Sequence, residues 1–161
     1  MMLSDLLKGK EGEQKVISLL NRDWLRAWLN ESKEDRLYYD IIASNGLAEF
    51  TIEVKNDLYA IRSGNIAIEF FNTKQAKPSG LTATRADLWI QIVGQEIWCA
   101  NVENLRKFVT STPPFKIISN GGDSNAALYL YKKDVIFADV FKRVDTSQDI
   151  VTTIMDILNE W

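Results

Sequence analysis

The stretch DIIASNGLAEFTIEVKND, residues 40–57, decides how the chain is read. Ile52 and Val54 alternate with Thr51, Glu53 and Lys55, the two-residue period of a strand with one apolar and one polar face. Asn45-Gly46 lies between this run and LYYDIIA (37–43), and Asn-Gly between two strand-like runs signals a two-residue type I′ hairpin turn. Taking those two residues as the loop pairs Ser44 with Leu47, Ile41 with Phe50 and Asp40 with Thr51. Directly opposed residues share a face, so Asp40, Glu53 and Lys55 are predicted on one side of a sheet, with Asp40 diagonal to Glu53 at about 7–8 Å. A slip of one residue would destroy the arrangement.

Two acids and a lysine on one face suit metal-assisted chemistry. Mg²⁺ takes oxygen ligands, keeps several waters, and is held by one or two carboxylates together with a substrate phosphate. Asp40 and Glu53 are the candidate carboxylates, the backbone carbonyl of Val54 a further oxygen, and Lys55 a group that positions water or neutralises charge on a phosphoryl oxygen. The plainer explanation is a solvated strand face that happens to carry Glu and Lys. Against it stands Glu13, which precedes Val16, Ile17 and Leu20 by three, four and seven residues. It therefore falls on the apolar face of an opening helix, where an unpartnered charge is expensive.

The composition sets outer limits. With 161 residues, 46% apolar and 25% charged, the chain is expected to form one domain with a real core. A single cysteine, Cys99, excludes an intrachain disulfide and fits a reducing compartment. No apolar run approaches a membrane helix and MMLSDLLKGKEGE lacks the pattern of a signal peptide, so a cytoplasmic protein is expected. The absence of histidine excludes Ser-His and Cys-His hydrolases, histidine zinc sites and histidine-based nucleases. The net charge of −3 is unusual for a nucleic-acid binder, although a cation held by the acids would offset it.

Further elements follow from pattern. Ser4 is placed to cap a first helix reaching about Asn30, with a break near Asn21–Asp23. NIAIEFF (65–71) reads as a third strand. LWIQIV (88–93) and EIWCANV (96–102) form a second hairpin about Gly94-Gln95. VENLRKFVTS is a helix ended before Pro113-Pro114. KIIS and AALYLYK are short strands around Gly121-Gly122. DTSQDIVTTIMDILNEW is an amphipathic helix with Ile150, Val151, Ile154, Ile157, Leu158 and Trp161 on one face. The order predicts an α/β fold with a mixed or antiparallel central sheet flanked by helices.

The set Glu13, Asp40 and Glu53-Val54-Lys55 resembles the PD-(D/E)xK nuclease superfamily, in which a helix glutamate, a strand aspartate and (D/E)-x-K on the next strand form the metal site. GKEGEQKVISLL is similar to the opening helix of its Holliday-junction-resolvase and restriction-like branches. Proline often precedes the aspartate in that family, whereas Tyr39 stands here. A second block, residues 62–92, resembles phage-encoded nuclease-like proteins through Gly64, Asn65, Glu69, Pro78, Ser79, Gly80, Thr84, Ala86, Asp87 and Trp89. The resemblance implies a restriction-endonuclease-like core and a Mg²⁺-dependent DNA endonuclease, with Mn²⁺ as a substitute. It makes Glu13, Asp40, Glu53 and Lys55 catalytic and Asp40, Glu53, Val54 and Glu69 metal-binding. It also implies a homodimer, because a four-way junction needs two symmetric cuts.

The rival for Glu69 is an edge-strand charge that blocks aggregation. Lys74, Lys77, Ser79 and Arg85 suit contacts to DNA phosphates, though any polar surface loop looks similar. Asp87 is expected in a hydrogen-bonding role rather than as a ligand. Lys132, Lys133, Lys142 and Arg143 are expected on a solvated face. Trp89, Trp98 and Trp161 sit in apolar patterns and are expected in the core; Trp24 and Trp28, four apart on the expected helix, suit a core or a dimer surface. The alternative function is a non-catalytic nucleic-acid-binding or assembly protein that keeps the fold.

Overall fold

The structure is a computed structural model that describes residues 3–119, 125–144 and 150–159. Helix α1 (Leu3–Leu20) ends well before Asn30. Asn21 stops it: its side-chain amide donates to the carbonyls of Ile17 and Ala27 while its Oδ1 accepts from the Ala27 N–H at 3.0 Å. That bracket turns the chain into strand β1 (Arg26–Leu29). Trp24 and Trp28 are therefore not on one helix; Trp24 sits in the turn and Trp28 on the strand, and both are exposed.

A short 3-10 turn (Asp35–Leu37) replaces the first half of the expected strand 37–43, and β2 runs Ile41–Ser44. Strand β3 (Glu49–Asn56) pairs with it in antiparallel fashion, Ser44 opposite Glu49 and Ile41 opposite Ile52. The expected two-residue turn is thus a four-residue loop. Asn45 Oδ1 accepts from the N–H groups of both Leu47 and Ala48, and the Asn45 N–H donates to the Ala48 carbonyl at 3.2 Å, which closes the loop beyond Ser44 and Glu49. The register moves by two from the expected pairing. A shift of two preserves faces where a shift of one exchanges them. Beyond the last pair, Ile41 with Ile52, the Asp40 N–H donates to the Ile52 carbonyl at 2.9 Å and its Oδ2 accepts the Val54 N–H, so Asp40 brackets Glu53 from the end of β2 rather than lying diagonal to it in the ladder.

The remaining elements are α2 (Ala60–Ser63), β4 (Asn65–Asn72), β5 (Lys77–Pro78), β6 (Leu88–Val93), β7 (Glu96–Asn101) and α3 (Val102–Ser111). They are followed by β8 (Lys116–Ser119), β9 (Ala126–Lys132), α4 (Lys133–Asp139), β10 (Lys142–Val144) and α5 (Ile150–Asn159). The second hairpin and α3 fall where the sequence puts them, α3 being capped by the Asn101 side chain on the Asn104 N–H. The Ser4 side chain, Gly121-Gly122 and Trp161 lie outside the described residues.

The central sheet has the order β1-β2-β3-β6-β7-β10 and is mixed: β3 and β6 run parallel and the other neighbours antiparallel. A second antiparallel sheet, β5-β4-β9-β8, was not anticipated, and it takes the third strand of the sequence reading away from the central sheet. Alternation assigns each face of the central sheet its own core. Ile52, Val54, Leu88, Ile90 and Ile92 pack with Val16 and Leu20 of α1 and Ile154 and Ile157 of α5. Trp89 and Val93 pack on the other face with Ile66 and Ile68 of β4, Leu105 of α3, Tyr131 of β9 and Phe137 of α4. No helix among the described residues is long and apolar enough to cross a membrane.

Candidate active site

The polar row of β3 meets the second core. Glu53 is almost fully buried, and its Oε1 lies 2.7 Å from Lys55 Nζ. Its Oε2 faces the Thr84 hydroxyl at 3.5 Å, while that hydroxyl donates to the Tyr38 carbonyl at 2.8 Å. Lys55 Nζ sits 5.6 Å from the Trp89 ring centroid, a cation over an aromatic face. Asp40 accepts the Val54 N–H on Oδ2 at 2.8 Å, which fixes its carboxylate against the β3 backbone and leaves Oδ1 outside that contact. Glu13, half-buried on α1, shares with Asp40 a cavity of about 280 Å³ lined also by Lys10, Arg36, Asn30 and Tyr39.

These charges feel one another. Burial pushes the Glu53 carboxyl above its ordinary range, with Asp40 and Glu69 adding to the rise and Lys55 opposing it. Burial raises Asp40 as well, against the pull of Lys55 and the Val54 N–H. Burial likewise raises Glu13, which Arg36 opposes most strongly and Glu53 reinforces. For Lys55, burial favours the neutral amine, but Glu53, Asp40 and Glu69 together outweigh it and the ammonium is held above its usual value. One lysine is thus surrounded by more negative charge than it neutralises.

The sign of the consequence is definite. A carboxyl whose folded pKa is raised favours folding below its unfolded value, about 4, and loses that contribution as pH rises through the folded value. Glu13, Asp40 and Glu53 should therefore make the protein lose stability upward from about pH 4 in a metal chelator. Thermal melts across the acid-to-neutral range would show this as a slope that Asp40→Asn reduces; an unchanged slope would mean that Asp40 is not held in its charged form against its burial.

Glu69 lies on β4 and is held rather than free. Ser79 donates to its Oε1 at 2.6 Å, and the Ser79 N–H reaches the Phe70 carbonyl at 3.2 Å where the β4–β9 register shifts. Gly80 follows with φ +52, and a Cβ built there would collide with the Glu69 carbonyl and lie 2.7 Å from the Glu69 Cβ. The Pro78-Ser79-Gly80 motif is therefore a clamp on Glu69. The turn beyond it is tied down by Arg106 of α3, whose guanidinium donates to the carbonyls of Leu81 and Thr84.

The expected phosphate-contact residues divide. Lys74 and Lys77 are exposed on the turn and short strand after β4, whereas the Ser79 hydroxyl is engaged with Glu69. The Arg85 guanidinium stacks 3.9 Å from the Tyr38 ring centroid beside the site. Asp87 accepts both the N–H and the hydroxyl of Thr51, the hydrogen-bonding role expected of it. Lys133 pairs with Glu96 at 2.7 Å, and Lys132 sits over Phe115. Trp89 is fully buried, and Trp98 stacks on Phe137 with 4.1 Å between centroids.

Several residues escaped the sequence reading. Lys10 and Arg36 line the Glu13–Asp40 cavity, but nothing in their local sequence places them there; α1 carries Lys10 to it and the 3-10 turn carries Arg36. Asp57 closes the strand carrying the motif. It accepts from the Ala60 and Ala67 N–H groups and from Gln91, which in turn takes the Trp89 indole N–H at 2.8 Å. Burial raises its carboxyl, and these hydrogen bonds oppose the rise.

No family model and no curated protein matches the chain. Among solved structures, a bacterial homing endonuclease, I-Ssp6803I, is similar: it is 17% identical, and the match covers 62% of this chain and 70% of that one at a TM-score of 0.48.

Proposed function

We propose that the chain is a metal-dependent DNA endonuclease whose site is Asp40, Glu53 and Lys55 with Glu13 in support. The observation that carries the proposal is Asp40 bonded to the β3 backbone on both sides of Glu53, at the Ile52 carbonyl and the Val54 N–H, with Glu53 paired to Lys55 and all three at least partly buried. Ordinary strand faces do not gather like charges in a place that raises the pKa of each.

The donor set fits a hard divalent cation. Among the described residues no three acidic or cysteine side chains are gathered into a cation cage. Mg²⁺ does not require one, because waters and a substrate phosphate complete its shell. Asp40 and Glu53 would hold it with the Val54 carbonyl, and Glu69 would serve as a further ligand or orient water. Bound there, Mg²⁺ or Mn²⁺ would supply an acidified water and charge stabilisation at a phosphoryl oxygen. Lys55, kept protonated by the acids around it, donates a hydrogen bond to the attacking water or to the developing phosphorane oxygen. Glu13 adds negative charge beside Asp40. Lys74, Lys77 and Arg85 would contact flanking phosphates.

The finer version is structure-selective cutting, like that of a Holliday-junction resolvase, by a homodimer making two symmetric cuts. The closed Glu53–Lys55 pair and the net charge of −3 favour one second reading, a nucleic-acid-binding protein that does not cut. Labelled duplex, single-stranded, nicked and four-way-junction DNA incubated with Mg²⁺ or Mn²⁺ separates the two. Metal-dependent cutting by the wild type supports the nuclease. Binding without cutting gives the second reading, and neither binding nor cutting removes both.

A further inference from the structure

The polar row of β3 does not end at Lys55. Asp57, two residues on, keeps the parity of the row, and its N–H continues along β6 by donating to the Ile92 carbonyl at 2.9 Å. On β6 the neighbours of the row are Trp89, paired with Glu53, and Gln91, paired with Lys55. Both are fully buried. A chain of hydrogen bonds joins them in one direction. Asp57 Oδ2 accepts from Gln91 Nε2 at 2.9 Å, and Gln91 Oε1 accepts from the Trp89 indole N–H at 2.8 Å. A carboxylate can only accept and an indole can only donate, so the amide between them has one orientation. Turning it over would set donor against donor at the indole and acceptor against acceptor at Asp57. The chain ends on the indole face, with Lys55 Nζ above it at 5.6 Å from the ring centroid.

We infer that Trp89 and Gln91 are positioning residues for Lys55: Asp57 orients the Gln91 amide, the amide fixes the indole, and the indole face holds the ammonium at the site of cleavage. The inference rests on the nuclease reading and adds to it the residues that aim its lysine. Lys55 needs aiming because a lysine is a point charge on a flexible four-carbon stem. Glu53, 2.7 Å away, holds it too, but Glu53 is a candidate metal ligand, and a carboxylate shared with a second cation holds an ammonium less firmly. The indole attracts the ammonium without offering a ligand atom. Packing alone does not account for the chain, since an apolar trio of similar volume would fill the space without burying an amide and an indole N–H. Asp57 has further duties. It accepts the Ala60 N–H of α2 and the Ala67 N–H of β4, the strand that carries Glu69, so Gln91 is the cleaner place to cut the chain.

The first readout needs neither metal nor DNA. In EDTA the Cε protons of Lys55, assigned by their loss in Lys55→Arg, should resonate upfield of those of the other lysines, because the indole ring current shields them. Gln91→Met fills nearly the same volume without an amide and should remove most of that displacement. In single-turnover cleavage with Mg²⁺ it should cut up to about 10²-fold more slowly, the scale for a misplaced reacting group. Its affinity for the same DNA should stay at the wild-type value. Trp89→Phe keeps a ring but has no N–H for Gln91; it should slow cleavage in the same way and serves if Gln91→Met does not fold. Wild-type Lys55 protons that lie among those of the other lysines overturn the inference. So does a folded Gln91→Met or Trp89→Phe that melts lower but cuts at the wild-type rate, since the chain is then structural only. A variant that loses DNA affinity in proportion to its rate overturns it as well. A wild type that cuts DNA while Gln91→Met cuts equally fast sinks this inference alone. A wild type that cuts no DNA sinks the nuclease reading and the inference with it.

Discussion

Asp40→Asn should abolish cleavage and make the protein more stable. The asparagine oxygen can still accept the Val54 N–H, so the hydrogen bond that positions residue 40 survives. What disappears is a negative charge that burial disfavours and that Glu13 repels. Cleavage is expected to fall by at least about 10²–10³-fold, the scale for losing one group that stabilises a transition state. The melting temperature in chelator should rise by a few degrees, at about 2–4 °C per kcal/mol for a chain of this length. Lys55→Ala makes the informative contrast. It should lose cleavage as completely but lower the melting temperature, because Glu53, Asp40 and Glu69 then lack the cation that faces them. Lys55 is about a third exposed, with 32% of its side chain accessible, so this loss is held below that of a fully buried pair. Adding Mg²⁺ should raise the melting temperature of the wild type more than that of Asp40→Asn, by ligand linkage. If both variants melt at the wild-type temperature, the charges are solvated and the buried-site account fails.

Gly80→Ala should cost more stability than any other single change considered. Two penalties combine there. The backbone lies in the left-handed region at φ +52, and a methyl group has no room because the Glu69 backbone and Cβ occupy its place. Overpacking and backbone strain together are expected to cost about 3 kcal/mol or more, or roughly 6–12 °C in melting temperature. Because the displaced neighbour is Glu69, cleavage should fall even in the folded fraction. Ser79→Ala separates the two effects: it releases the Glu69 carboxylate without forcing its backbone, so activity should change with little loss of stability. Thermal melts beside single-turnover cleavage measure both. Equal melting temperatures for Gly80→Ala and Ser79→Ala would refute the clamp.

The legible part of the site was the part written in alternation. Thr51, Glu53 and Lys55 fall on one face in any strand; the register error of two residues kept the parity of β2 and β3, and Asp40 reaches the β3 backbone beside Glu53 through hydrogen bonds that no alternation shows. The loop itself was misread because the sequence shows Asn-Gly but not that Asn45 Oδ1 would capture two further N–H groups. Trp24 and Trp28 were misread for a related reason. A spacing of four suits a helix face, and four strand residues are too few for the competing period to show. Deciding between them needed Asn21, whose side chain ends the helix through contacts to residues on both sides of the break. Glu69 could be found as a charge in an apolar strand, but the partners that hold it, Ser79 and Gly80, lie 10 and 11 positions further along the chain and meet it only through the register shift of β4. Lys10 and Arg36 left no local signal, since their meeting depends on where a helix and a 3-10 turn are carried by the rest of the fold.

Strand β3 carries two inheritances in one thread. Every second residue answers to the helices α1 and α5, and the residues between answer to the charged site. Divergence can therefore proceed on the two sets almost independently. Descendants could exchange Phe50, Ile52 and Val54 for other apolar residues of similar volume and keep their chemistry, or retune the acids without rebuilding the packing beneath α1. Deletion of one residue between Phe50 and Lys55 is a different event. It would transpose the sets, driving carboxylates under the helices and leaving aliphatic side chains at the site. Changes of length should consequently accumulate at the hairpin tip, where Leu47 is 97% exposed, and be purged from the strand itself.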